Sequence, residues 1–260
     1  RAAETFHARV NWMRLVYGDS GDGGDGDGGV SEEWLLPLEE LKLQKRVGVG
    51  SSGTTYAAEW RGATVAVKVA GSTISKVGEW RAEVAALTRL RHPHIVQYIG
   101  AVQEPPTHCL VLEYCSGGDV RSALRRATPP GFVLRVADGV ASGMAYLHRK
   151  GIMHRDLKSA NVLIDGGGVI KLTDFGVAIE MHDATSHGMT AHSSRPAESD
   201  DPSGSPAPIA REMTAETGTL RWMAPEVARH ERYRKSADVY SFAMVCFELI
   251  THEVPFADRL

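Results

Sequence analysis

The chain has 260 residues, 43 % of them hydrophobic and 23 % charged, and a net charge of −3. That is length for one large domain or two small ones, with enough apolar material for a sizeable core. The mild acidity gives no reason to expect nucleic acid or an anionic membrane as the main partner, and no apolar run approaches the length of a membrane span.

Taken in chain order, residues 1–17 hold one short helical pattern, Phe6 to Val16. Residues 18–29, GDSGDGGDGDGG, are almost pure glycine and aspartate. Such a stretch buries too little apolar area to offset its ordering entropy and reads as an acidic linker. A calcium reading of Asp19, Asp22, Asp25 and Asp27 gives way to the linker reading, because the sequence lacks the terminal glutamate and flanking helical patterns of that motif. The pattern then changes. Leu41–Val47, Thr54–Trp60 and Thr64–Val69 read as strands of a twisted antiparallel sheet. Lys76–Leu90 is helical, with Val77, Trp80, Val84, Leu87 and Leu90 at the helix period. Ile95–Val102 and Cys109–Glu113 are two further strands. After Gly117-Gly118 the chain turns mainly helical, at Val120–Arg126 and Phe132–Arg149. Val162–Ile164 and Ile170–Leu172 flank three glycines as a hairpin. Residues 180–216 are polar and read as a long exposed loop, while Ser236–Thr251 is apolar and reads as a buried helix. The three cysteines, Cys109, Cys115 and Cys246, lack CxxC spacing, which fits a reducing cytosol or nucleus.

Five motifs carry chemistry. Gly48-Val49-Gly50-Ser51-Ser52-Gly53 is a GxGxxG string between two strands, where glycine lets the backbone come close to phosphates. A dinucleotide-binding loop would be followed by a helix; here a strand follows. Val65-Ala66-Val67-Lys68 ends a strand in a lysine that can reach phosphates and be held by a helix glutamate, Glu83 first and Glu79 second. On its own such a lysine would simply reach for solvent. His154-Arg155-Asp156-Leu157-Lys158-Ser159-Ala160-Asn161 matches H-R-D-L-x-x-x-N at every fixed position. Asp174-Phe175-Gly176 and Ala224-Pro225-Glu226 complete the series in order.

These strings, with HRDLKSANVLI, KLTDFGVA and TGTLRWMAPEV around them, resemble the protein kinase superfamily from about Leu38 onward. Within it they are most similar to the tyrosine-kinase-like group of Ser/Thr kinases, such as Raf- and MLK-type kinases. The resemblance implies an α+β, bilobal fold, with a five-stranded antiparallel small lobe carrying one main helix and a mostly helical large lobe. Residues 1–37 would be an extension, 38–116 the small lobe and 117–260 part of the large lobe, interrupted by 180–216. A complete large lobe would add further helices, among them an arginine to pair with Glu226.

The resemblance also assigns roles. Val47, Gly48, Val49, Gly50, Ser51, Ser52, Gly53 and Thr55 would cover ATP. Lys68 would pair with its phosphates and with Glu83. Asp156 would take or orient the proton of the attacking hydroxyl, with Lys158 on the γ-phosphate. Asn161 and Asp174 would hold Mg2+. Glu113 and Cys115 would offer hinge backbone to adenine, Leu112 would be the gatekeeper, and Asp119 would reach the ribose. Val47, Ala66 and Leu163 would sandwich the base, although apolar residues of this kind otherwise simply pack a core. Thr55 and Ser52 depart from the family, which usually has valine and an aromatic residue there. Lys158-Ser159 and Thr217-Gly218-Thr219 point to serine and threonine as acceptors, with dual specificity as the lesser reading. Thr219 would contact both Asp156 and Lys158. Arg155 would pair with a phosphate added to the activation loop by an upstream kinase or by autophosphorylation. Thr214 and Thr217 are the nearest acceptors, and Ser203 and Ser205 lie farther off. Asp238 would brace the catalytic-loop backbone. Protein substrates are the implied partners. The alternative is a nucleotide-binding pseudokinase or scaffold, which the presence of Lys68, Asp156 and Asp174 argues against. A metal site at His182, His187 and His192 lacks a second ligand set.

Overall fold

The computed structural model describes residues 32–50, 53–70, 74–104, 107–175, 179–180, 219–229, 231 and 234–257. Ser51, Ser52, Thr214, Thr217 and most of the 180–216 stretch therefore lie outside the described residues, as does the whole 1–31 region.

Strands β1 (Lys42–Gly50), β2 (Gly53–Trp60), β3 (Ala63–Val69), β4 (Tyr98–Glu104) and β5 (Thr107–Glu113) form one antiparallel sheet in the order β1-β2-β3-β5-β4. Alternation along the strands sorts side chains to two faces. Leu43, Ala58, Val65, Val67, Val102, Cys109 and Val111 pack with Leu38 and Leu41 into a core on one side. Ala66, Leu110, Leu112, Tyr98 and Ala101 face the other, where helix α1 (Ile74–Thr88) lies. Lys68 stands opposite Leu110 in the β3–β5 register and so shares the face that α1 covers. Helix α1 turns Trp80, Val84 and Leu87 onto that face, and buried Glu83 falls in the same stripe. A carboxylate where the helix period calls for an apolar residue needs a partner, and the sheet supplies it.

Residues 32–37, read from sequence as extension, pack on β4. Leu36 N donates to Ala101 O at 2.8 Å, and the Trp34 ring meets Tyr98 at 5.3 Å. The strand predicted from Ile95 begins only at Tyr98. Residues 94–96 pair instead with the large lobe: Leu172 N donates to His94 O and Val96 N to Leu172 O, each at 2.9 Å.

In the large lobe, β6 (Gly118–Asp119) leads into a helix α2 (Val120–Ala123) that ends three residues before the predicted Arg126. Helix α3 (Phe132–Arg149) is amphipathic, burying Phe132, Val136, Val140, Met144 and Leu147. β7 (Ile152–Met153), a tight turn at Ser159–Asn161, and the hairpin β8 (Val162–Ile164) and β9 (Ile170–Leu172) follow. Gly139 and Gly143 let β9 press onto α3: a Cβ on Gly143 would stand 2.8 Å from Leu172 Cδ1 and 2.9 Å from His94 O. β10 (Ile179–Glu180) pairs with β7. A turn at Leu220–Trp222, helix α4 (Pro225–Ala228) and helix α5 (Ser236–Thr251) close the described chain. The expected burial of α5 holds for one face only. Asp238, Ser241, Val245, Glu248 and Leu249 are buried, whereas Val239, Ala243, Phe247 and Ile250 form an exposed apolar stripe. No described helix is long and apolar enough to cross a membrane.

Candidate active site

The segments that resembled motifs converge between the sheet and α3. Lys68 Nζ donates to both oxygens of Glu83, at 2.8 and 2.9 Å, and to Asp174 Oδ1 at 2.8 Å. The three N–H donors of a lysine ammonium are thereby all engaged. Burial works against the charge on Lys68, but Asp174 and Glu83 outweigh it and raise its pKa above the ordinary lysine value. Burial, with the like charge of Asp174, pushes Glu83 up despite Lys68. Burial alone would raise Asp174 too, yet Lys68 holds it down at about 2. Asp174 sits at φ +70°, a backbone conformation that side chains rarely adopt and that active sites retain.

A second network surrounds Asp156. Lys158 Nζ donates to its two oxygens at 2.9 and 3.1 Å and to Thr219 Oγ1 at 3.0 Å. Asn161 Nδ2 donates to Asp156 O at 2.7 Å and Oδ2 at 2.9 Å, which leaves its amide oxygen pointing away from Asp156. Thr219 meets Lys158, but no direct hydrogen bond joins it to Asp156. The lysine, long enough to span both, stands between them.

The backbone under this network is held by Asp238. Its carboxylate accepts from His154 N at 3.0 Å, Arg155 N at 2.9 Å and His148 Nε2 at 2.8 Å. Arg155 takes φ +67°, so these bonds fix a conformation that the residue would otherwise leave. Burial opposes ionisation of Asp238, and the His148 hydrogen bond with the backbone donors overcomes it and lowers its pKa. The same element carries Glu248, which accepts from Ser159 Oγ at 2.7 Å and Trp222 Nε1 at 3.0 Å.

The model of the protein kinase domain family matches residues 41–259. The chain belongs to the protein kinase family. This kinase chain is 36 % identical over 233 residues to the serine/threonine-protein kinase STY17 of Arabidopsis thaliana, covering 87 % of the chain and 36 % of that relative. It is 34 % identical over 230 residues to mitogen-activated protein kinase kinase kinase 13-A of Xenopus laevis, covering 87 % of the chain and 20 % of that relative. It is 32 % identical over 263 residues to serine/threonine/tyrosine-protein kinase HT1 of Arabidopsis thaliana, covering 96 % of the chain and 60 % of that relative. The chain thus spans from 20 % to 60 % of the length of these relatives, whose names agree with the tyrosine-kinase-like group read from its motifs.

The remaining expected site residues of the kinase fall around the cleft. Gly48 and Gly50 close β1, and a Cβ on either meets nothing nearer than 3.9 Å, so space lies over them. Gly53 is different: at φ +144°, its Cβ would stand 2.1 Å from Val69 O, and only glycine fits. Thr55 pairs with both Gly48 and Lys68 across the sheet. Val47 and Val49 are exposed at the lip, Ala66 and Leu112 are buried behind them, and Leu163 is half-buried on the large-lobe side. Glu113 is bound more tightly than a bare hinge residue. Its carboxylate takes Lys171 at 2.8 Å and Gln97 N at 2.7 Å. Cys115 is buried, and burial pushes its thiol up to about 12. Asp119, expected at the ribose, also caps α2, accepting from Ser122 N at 2.7 Å and Ser122 Oγ at 2.8 Å. The side chain of Glu79 lies outside the described residues, and Glu83 holds Lys68.

Sequence reasoning missed Glu248, His148 and Lys171 as parts of the site. A buried-face acid on α5 ten residues after Asp238 was the available signal for Glu248. The other two depend on tertiary contacts that no local pattern encodes.

Proposed function

We propose that this chain is the catalytic domain of a protein serine/threonine kinase that transfers the γ-phosphate of ATP to hydroxyls of other proteins. The observation that carries the reading is the joining of two networks, Lys68–Glu83–Asp174 and Asp156–Lys158–Asn161–Thr219, at one cleft.

The donor set fits Mg·ATP. The first network holds one cation between two carboxylates, a net negative charge that attracts a divalent ion. Asn161 and Asp174 present oxygen ligands, the kind magnesium takes. Among the described residues no group of three or more His, Cys, Asp or Glu could hold a metal alone, so phosphate oxygens and water would complete the shell. When bound, magnesium supplies charge neutralisation on the phosphates.

The chain's own residues do the rest. Lys68, fixed by Glu83, holds its charge where phosphates would lie under Gly48 and Gly50. Asp156, oriented by Asn161 and Lys158, accepts the proton of the attacking hydroxyl or aligns it. Lys158 then offsets charge on the transferred group, and Thr219 keeps it in reach. These are positioning and electrostatic effects, which is what a loose phosphoryl-transfer transition state needs. Cys115 and Glu113 offer backbone to the base. Arg155 would couple this loop to a phosphate on Thr214 or Thr217, placed by an upstream kinase or by the domain itself, and phosphatase treatment that leaves activity unchanged would sink that coupling.

The test is label transfer from γ-labelled Mg·ATP to a generic protein, comparing the chain with Asp156→Asn, followed by phosphoamino-acid analysis. Label on serine and threonine that vanishes in the variant is the expected result. Label on neither, with nucleotide still bound, would make the chain a nucleotide-binding scaffold.

A further inference from the structure

Between Val120 and Ala137 the chain carries Arg121, Arg125, Arg126 and Arg135 and no acidic residue. All four arginines are exposed. None has an ion-pair partner among the described residues. Exposed Asp138, one turn along α3 from Arg135, offsets that arginine, so the local excess rests on Arg121, Arg125 and Arg126 in a chain whose net charge is −3.

Its position ties it to the site. Helix α2 packs against the Ser159–Asn161 turn of the catalytic loop and against β6 and β8. Arg121 lies close enough to Glu248 to favour its charged form, and Glu248 is the residue that joins Ser159 to Trp222. Arg121 therefore borders the junction between the catalytic loop and the Leu220–Trp222 turn. His252 Nδ1 lies 3.1 Å from Leu124 O, which anchors the end of α2 to the end of α5 and sets where Arg125 and Arg126 leave the surface. The two acids near Arg121 are otherwise engaged: Glu248 is buried with both oxygens bonded, and both oxygens of Asp119 hold Ser122. Neither offsets the rim toward solvent.

We propose that this arginine rim binds acidic side chains flanking the acceptor hydroxyl, so that the preferred protein substrates carry aspartate or glutamate near the phosphorylated residue. The inference rests on the kinase reading above and adds a substrate class to it. Arginine suits the task because its planar fork matches a carboxylate. An exposed ion pair is worth a factor of about 1.4 to 5, so three pairs multiply to between about threefold and about a hundredfold, with tenfold inside that range.

The experiment uses the 260-residue chain and three fluorescent peptides that differ only in flanking residues, aspartate, asparagine or lysine, with alanine at the acceptor position. Anisotropy is expected to rank the aspartate peptide about tenfold above the asparagine one at low salt. The gap closes as salt shortens the Debye length to about 3 Å near 1 M. R121E/R125E/R126E is expected to favour the lysine peptide. R125E/R126E, which leaves Arg121 beside Glu248, is expected to lose the aspartate preference while phosphorylating a serine form of the asparagine peptide within twofold of wild type. Equal binding of the aspartate and asparagine peptides would overturn the proposal, as would charge reversal that weakens all three peptides alike. Because binding is read without turnover, absence of phosphate transfer with the ranking intact would sink the kinase reading and leave the rim standing.

Discussion

Replacing Asp238 tests whether the catalytic loop is held in place or merely rests there. The carboxylate is 2 % exposed and accepts three hydrogen bonds, from His154 N, Arg155 N and His148 Nε2. Asp238→Ala leaves two buried backbone donors unmet at about 1–3 kcal/mol each, while His148, whose side chain is 19 % exposed, can turn to water. A loss of about 3–5 kcal/mol follows, a large share of the roughly 5–15 kcal/mol that holds a domain folded. Asp238→Asn keeps one acceptor for Arg155 N but turns an NH2 toward His154 N–H, so about 1–3 kcal/mol is expected. Urea denaturation followed by tryptophan fluorescence measures both. The pH dependence has a defined sign. The pKa of Asp238 is lowered in the fold, so its contribution is present above the ordinary carboxylate range and fades as pH falls through the folded value. The gap between wild type and Asp238→Asn should therefore be widest near neutrality and shrink below about pH 4. Wild-type stability in Asp238→Asn, or an alanine variant no worse than the asparagine one, would refute the reasoning.

Lys68→Met leaves Glu83 and Asp174 face to face and should cost about 3–5 kcal/mol in thermal unfolding, with Glu83→Leu added to it recovering part of the stability and none of the phosphate transfer. Gly143→Ala should destabilise by about 1–3 kcal/mol in urea, because the new methyl meets Leu172 and His94 O and outweighs the helix propensity it gains. Burial pushes Cys109 and Cys115 to about 12, so alkylation of the native chain at pH 8, read by mass spectrometry, should label half-buried Cys246 well ahead of either. Ile250→Lys on the exposed stripe of α5 should change the unfolding free energy measured in urea by no more than about 0.5 kcal/mol yet reduce light scattering in concentrated solution.

The small lobe was legible because its strands obey a two-residue period and its helix a 3.6-residue one, so Lys68 and Glu83 could be matched before any contact was known. The motif strings located Asp156, Asn161 and Asp174, which one short hairpin, β8–β9, brings together. What escaped was long-range. Ile95 reads as strand by composition, but its neighbours bond to β9, a choice made by a segment 76 residues away. The cap that Asp119 places on α2, through Ser122 three residues on, was not read from the sequence. The outer side of α5 reads as core because hydropathy does not say which face has a neighbour.

The pairing of His94 and Val96 with Leu172 has a mechanical consequence. The stretch between α1 and β4 belongs to the small lobe in sequence but is stitched to a strand of the large one, two residues before Asp174. If the lobes rock, a stitch at that place acts as the fulcrum. Displacement grows with distance from it, least at the root of Asp174 and greater at the Gly50 end of β1. Such an opening moves Gly48 and Gly50 while the carboxylate at the base of the cleft stays almost still.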